Sequence, residues 1–257
     1  MKEFFGFGGY QRTPEGYMSW QHLTFATSLM VIMVVMACLL GRKNHNNSEK
    51  SKNKVLIWAA ILIDSFELFK IVLMCVRGHD PMGWVTELPL FLCSIQLIAI
   101  PMAAFCKGRL REASLDFVMI FGILGAVMGT YAAGQNYACY PVLSFDNVVS
   151  GITHSISGFC SLYIIFSGLA SMKKKNMVIC FGILLGFCVT AYVVNHLIDY
   201  NYMFLMAGDG TPYDILFNLV GGSPILYPIG VVALFLLYIS AYYGVYFLIT
   251  RKKVAAH

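Results

Sequence analysis

Charge is the scarcest property of this sequence. Only 12% of its 257 residues are Asp, Glu, Lys or Arg, about half the share of an ordinary soluble domain. That shortage excludes a cytosolic globular enzyme, a disordered chain and a nucleic-acid-binding domain, each of which needs more charge to hydrate or to bind. Recurrent metal or redox spacing is also missing: no CxxC pair and no HExxH run occur, so neither a zinc ribbon nor a zincin helix is expected. The eight cysteines are scattered. They do not read as a disulfide framework, although Cys75 and Cys139 are close enough in expected depth to be considered as a pair. No basic-then-apolar leader opens the chain, so a cleaved signal peptide is not expected.

Apolar length is abundant. Residues of the AVILMFWYC set make up 58% of the chain, and mean hydropathy is +0.70. A helix crossing a bilayer needs about 20 apolar residues, and seven such stretches can be marked: about 22–41, 55–76, 88–106, 114–134, 147–170, 177–198 and 224–249. These runs are too long and too uniformly apolar for barrel strands. The expected fold is therefore all-α: one transmembrane domain, residues 1–257, with seven helices and an interfacial N-terminal segment, 1–21, rich in Phe and Tyr. Fourteen of the 18 Lys and Arg residues lie on one side. They are Arg42, Lys43, Lys50, Lys52 and Lys54 in the first connection, Lys107, Arg109 and Arg111 in the third, Lys173 to Lys175 in the fifth, and Arg251 to Lys253 in the tail. The positive-inside rule then places the N-terminus outside and the C-terminus inside.

Strongly polar residues within the spans are few, and each is a candidate for function because burying it in hydrocarbon is costly. They are Asp64, Glu67, Lys70, Gln96, Asp116, His154, Asn195 and His196, with His22 at the start of the first span. Asp116 is expected at the inner interface. His22, Glu67, Gln96, His154 and Asn195 come from five helices yet fall in one layer beneath the outer face. Ser150, His154, Ser157 and Ser161 share one face of the fifth helix, which calls for a cavity or a hydrogen-bonded helix contact unless the serines bond back to their own helix. His154 points to a cavity, because an imidazole is not expected to satisfy itself against its own helix. Cys93 lies at a matching depth, beginning the third helix with Gln96. Thiolate and imidazole together make a nucleophile and its base. Gly122, Gly125 and Gly129, and separately Gly182 and Gly186, read as small-residue packing faces.

Several landmarks resemble one family. The segment Glu87-Leu-Pro-Leu-Phe-Leu-Cys-Ser94, the lead Ser19-Trp-Gln-His22, the triplet Thr153-His154-Ser155, and Val194-Asn195 followed by Asn201-Tyr202-Met203-Phe204-Leu205 are similar to the YwaF-like bacterial integral membrane proteins. The resemblance covers about 17–245. It implies seven helices in a bacterial cytoplasmic membrane. Through animal relatives it implies an acyltransferase that remodels ether phospholipids, with Cys93 as nucleophile and His154 as base. His22, Glu67, Gln96, Asn195, Asn201 and Tyr202 would then bind substrate or support the site, membrane phospholipids would be donor and acceptor, and no cofactor, metal or nucleic acid would be involved. Phe91 stands where the family usually has histidine, and Ser94 where many members have Asp; Gly221-Gly-Ser-Pro224 loosens a Gly-Pro-Trp-Pro stretch. The alternative reading is a seven-helix transporter or lipid- or solute-binding protein using the same polar groups without covalent chemistry. A metal-dependent hydrolase built from His22, His154, His196 and Glu67 has less support, and a retinal protein less still, because the last span has no lysine.

Overall fold

The computed structural model describes residues 2–255, with side chains through Thr250. The side chains of Arg251, Lys252 and Lys253 lie outside the described residues. All regular structure among the described residues is helical: α1 (Trp20–Asn44), α2 (Glu49–Gly78), α3 (Gln96–Phe105), α4 (Gly108–Tyr131), α5 (Gly134–Cys139), α6 (Phe145–Ser167), α7 (Met177–Ile198), α8 (Tyr213–Leu219) and α9 (Leu226–Ala255). Among the described residues, five segments are long and apolar enough to cross a membrane: Trp20–Asn44, Gly108–Cys139, Phe145–Ser167, Lys174–Ile198 and Leu226–Thr250. The helix α2 is longer still at 30 residues, but Asp64, Glu67 and Lys70 interrupt its apolar run.

Helix boundaries follow from local chemistry. Ser19, Ser48 and Ser144 each precede a helix and accept a backbone N–H of its first turn, from His22, Ser51 and Asn147, satisfying one of the donors that every helix start leaves open. Gly168 ends α6 in the left-handed conformation, φ 62°, where a residue without Cβ carries no steric cost.

The third apolar stretch departs from expectation. Helix α3 has only ten residues and starts at Gln96, so Cys93 lies in a turn before the helix rather than on its face. The reason is Ser94. Its Oγ accepts the N–H of Phe91 and donates to the carbonyl of Phe91, both at 3.0 Å. A side chain that occupies the backbone in this way competes with helical hydrogen bonding.

The chain divides into two compact units. The first comprises Met1–Pro89 and Gln96–Ser171; the second comprises Leu90–Ile95 and Met172–His257. Within the first unit α4 and α6 pack closely. A Cβ on Gly122 would come within 2.6 Å of the Ser157 carbonyl oxygen, and Ser161 Oγ donates to Met119 O at 2.7 Å. The serine stripe of α6 is thus a hydrogen-bonded helix contact. Gly182 and Gly186 on α7 face open space instead, so they are not a packing face. Asp116, expected at the inner interface, is buried within the first unit at 1% exposure. All eight cysteines are free thiols, which removes a Cys75–Cys139 bond.

The N-terminal segment is clamped to the first unit by groups far apart in sequence. Arg77 binds Asp146 through two nitrogens, at 2.7 and 3.0 Å, and donates to Phe5 O at 3.1 Å. Tyr10 donates to Asp146. Burial, reinforced by the Asp146 carboxylate, pushes the Tyr10 phenol up to about 12. A phenol whose folded pKa exceeds its unfolded value of about 10 stabilises the fold while it is protonated. That contribution is complete below pH 10 and is lost as pH rises through about 12. Proteolysis within residues 2–18 is therefore expected to be flat from pH 7 to 10 and to accelerate above it. Tyr10→Phe should raise cleavage already at neutral pH and abolish the acceleration; a parallel rise in both proteins would show that Tyr10 is not the group titrating.

Candidate functional site

The sequence-predicted residues fall into the two units. His22, Glu67, Gln96 and His154 belong to the first; Cys93, Asn195, Asn201 and Tyr202 belong to the second.

In the first unit, two histidines converge on consecutive residues of α4. The half-buried ring of His154 occupies the space left by Gly129: a Cβ there would lie 2.0 Å from Nε2 and 1.8 Å from Cδ2. Its Nδ1 is 2.7 Å from the carbonyl oxygen of Ser150, one turn back on α6. A carbonyl only accepts, so Nδ1 carries the proton, and in the neutral ring Nε2 is the nitrogen with the basic lone pair. A histidine was expected to be unable to satisfy itself against its own helix. Here it does so with one nitrogen, and that bond sets the tautomer of the other.

His22 meets the neighbouring residue. Its Nε2 donates to Thr130 O at 2.9 Å, while Nδ1 accepts the N–H of Met18 at 3.1 Å. The ring is fully buried and stacks on Tyr137 at 3.8 Å. Both nitrogens are spent, so His22 braces the end of α4 instead of exchanging protons. His22→Phe keeps the ring volume but leaves Thr130 O and Met18 N–H without their partner. A loss of about 1–3 kcal/mol of stability is expected, read as a lowered melting temperature of the purified protein in detergent. An unchanged melting temperature would contradict the bracing role.

Glu67 is also committed. Lys70 Nζ lies 2.6 Å from Glu67 and 2.9 Å from Glu87, a compact triad in which one ammonium serves two carboxylates. Asp64 does not join it. Its Oδ1 is buried and accepts no hydrogen bond among the described residues, and neither polar atom of the Gln96 amide, 1% exposed, has a hydrogen-bond partner there. Helices α2 and α3 run antiparallel, tied by Asn53 Nδ2 donating to Ala104 O at 2.8 Å. Asp64 lies about 16 Å along α2 from that tie and Gln96 about 12 Å along α3, at 1.5 Å per residue. The two orphaned groups are thus within a turn of the same level. Buried polar atoms without partners are rare in folded proteins and mark places where water or a ligand completes the bonding.

In the second unit, the turn bearing Cys93 packs by Phe91 against aromatic rings. The Phe91 ring is 6.2 Å from Tyr200, 5.0 Å from Tyr202 and 6.0 Å from Phe204. Position 91 therefore serves packing, and Ser94 serves the turn. Asn195 on α7 holds Tyr202 from both sides, donating to its carbonyl at 3.0 Å and accepting its N–H at 2.7 Å. Asn201 donates to Ala207 O at 2.8 Å and accepts the N–H of Met206 at 2.8 Å. These bonds stabilise a loop in which Met203 and Phe204 both have left-handed backbones, φ 56° and 55°, a conformation costly for residues with a side chain. Asn195, Asn201 and Tyr202 shape the loop; they are positioned to support, not to react. His196 points outward, its Nδ1 bonded to Tyr192 O at 2.9 Å. Among the described residues, no three His, Cys, Asp or Glu side chains are grouped so as to hold a metal ion.

Gly129 is the participant that the sequence alone did not single out for the site. Glycine spacing along α4 was visible, but only the fold shows which side chain fills each gap. Asp64 precedes Glu67 and Lys70 in the same apolar span of the sequence, and only the structure separates it from their ion pair.

No curated protein and no solved structure matches the chain significantly. One family model does match, over residues 17–243, and its description is TMEM164 family rather than the YwaF-like name suggested by the landmark motifs. That match spans the described helices from before α1 into α9, and with its apolar spans the chain is a multi-pass membrane protein belonging to the TMEM164 family.

Proposed function

We propose that this protein is an intramembrane acyltransferase that moves a fatty acyl chain between membrane lipids through a thioester on Cys93. The reading takes seven spans, with the N-terminus outside and the C-terminus inside, from the distribution of basic residues. In the first half-reaction the Cys93 sulfur attacks the ester carbonyl of a donor phospholipid. The carbon–oxygen bond breaks, and the thiol proton passes by way of His154 to the departing glycerol oxygen. In the second half an acceptor hydroxyl gives its proton to His154 and attacks the thioester carbonyl, and Cys93 leaves as thiolate and is reprotonated. A water-poor setting favours transfer over hydrolysis.

The observation that carries this reading is the state of His154. Its Nδ1 is committed to Ser150 O at 2.7 Å, so Nε2 is held as the basic nitrogen, and the ring is seated in the gap at Gly129. A fixed tautomer and a held ring are one part of what general-base catalysis requires. At the two positions that depart from the family pattern, Phe91 packs against aromatic rings and Ser94 closes the turn, so the reading assigns the base to His154 and not to position 91.

The test is purified protein incubated with phospholipid bearing a labelled acyl chain. Mass spectrometry should find the label on Cys93 as a hydroxylamine-sensitive adduct. A label that never resides on Cys93 while acyl exchange proceeds would overturn the mechanism.

A second reading, a carrier or binding protein without covalent chemistry, is favoured by the orphaned polar atoms of Asp64 and Gln96. It is distinguished in the same material: solute uptake into liposomes that is undiminished in Cys93→Ala, with no acyl exchange in the wild type, would support it.

A further inference from the structure

An apolar groove of about 330 Å³ runs between α1, α2 and α6, within the first unit. Its walls include Met36 and Leu40 of α1, Trp58 and Leu62 of α2, and Ile156 and Phe159 of α6. The polar group on its wall, Ser155 Oγ, is spent on Gly151 O at 2.7 Å. The groove lies on a different face of α6 from His154, whose ring is against α4. Its α1 wall extends from Leu29 to Leu40, about 16 Å at the helical rise. An extended saturated chain advances roughly 1.25 Å per carbon, from carbon–carbon bond length and angle, so about 13 methylenes fit that length.

One end of the groove is strongly basic. Along α1 the wall residues Met36 and Leu40 continue at helical spacing to Lys43, and along α2 Leu62 and Trp58 continue back to Lys54 and Lys50. All three lysines are exposed, and none is in a salt bridge among the described residues. The acidic residue nearest in sequence, Glu49, is taken by Arg111. An apolar slot of acyl-chain length ending in three exposed cations, with an exposed Trp58 one turn beyond Lys54, has the chemistry of a phospholipid site with a negative headgroup.

We infer that this groove binds one acyl chain of an anionic phospholipid from the leaflet on the basic side, with its phosphate held by Lys43, Lys50 and Lys54. The site depends on the membrane setting of the helices and not on acyl transfer, so it can be tested in a Cys93→Ala chain, where covalent chemistry is absent.

Trp58 is the reporter. With Trp20→Phe and Trp84→Phe it is the sole tryptophan of the three in the chain. In nanodiscs, phosphatidylglycerol with brominated chains is expected to quench Trp58 at a mole fraction on the order of tenfold lower than phosphatidylcholine with the same chains. The preference should vanish in Lys43→Gln/Lys50→Gln/Lys54→Gln, whose exposed positions leave folding unaffected, and should weaken with salt. A companion protein retaining only Trp20, at the opposite end of α1, should show no headgroup preference. Equal quenching of Trp58 by the two lipids, a preference that survives in the triple variant, or the same preference at Trp20 would each overturn the assignment.

Discussion

Cys93→Ala is expected to abolish both the acyl adduct and acyl exchange, with a loss of at least about a thousandfold in rate, because a covalent route cannot proceed without its nucleophile. Cys93 lies in a turn that the bonds between Ser94 and Phe91 help to hold, and it is half-buried. Cys93→Ser is the informative companion. A serine hydroxyl is far less ionised than a thiol near neutral pH, so exchange should fall nearly as far while the turn is kept. Any adduct that forms would be an oxygen ester resistant to neutral hydroxylamine. Wild-type exchange rates in Cys93→Ala, measured with the same labelled phospholipid, would eliminate the thioester.

Gly129→Ala should cost about a hundredfold in acyl exchange, although residue 129 carries no chemistry itself. A Cβ there would sit 1.8 Å from His154 Cδ2 and 2.0 Å from Nε2, far inside van der Waals contact, so the imidazole must leave its seat. Displacement of a catalytic group by about 1 Å can lower a rate a hundredfold. Overpacking itself should cost about 1–3 kcal/mol of stability, a modest shift of melting temperature that leaves folded protein to assay. Coupling decides whether the effect runs through His154. In Gly129→Ala/His154→Ala the clash is gone and the base already missing, so the double variant should be no slower than His154→Ala alone. Wild-type activity in Gly129→Ala, or a double variant slower than His154→Ala by a further hundredfold, would dissociate Gly129 from His154.

These two sites illustrate different kinds of legibility. Among eight cysteines and six histidines, Cys93 and His154 are selected by their matching depth and by the resemblance of their flanking motifs to a family, not by residue type alone. Their settings are not legible in the sequence. The turn at Cys93 depends on one serine hydroxyl choosing the backbone of Phe91 over solvent, and hydropathy over 88–106 masks that choice. The seat of His154 depends on Gly129, a neighbour 25 positions away whose meaning as a gap appears only when α4 and α6 are packed. His22 and Glu67 illustrate the reverse case. Their rarity in apolar spans singled them out, yet the structure shows His22 bonded at both nitrogens and Glu67 neutralised by Lys70.

By itself the sequence determined the helices and the character of the protein. Apolar runs are local, as are capping serines, so α1, α6 and α7 were readable to within three residues and α4 and α9 to within six. The shortage of charge excluded soluble classes without reference to any contact. Tertiary structure decided the partners. It brought Glu87 to Lys70 and Asp146 to Tyr10 across 136 positions, buried Asp116, and left Asp64 Oδ1 and the Gln96 side-chain amide without hydrogen-bond partners among the described residues. The physical reason is common to all of them: a hydrogen bond or ion pair forms between surfaces that meet only after helices pack, and nothing in the local sequence encodes which surface will be opposite.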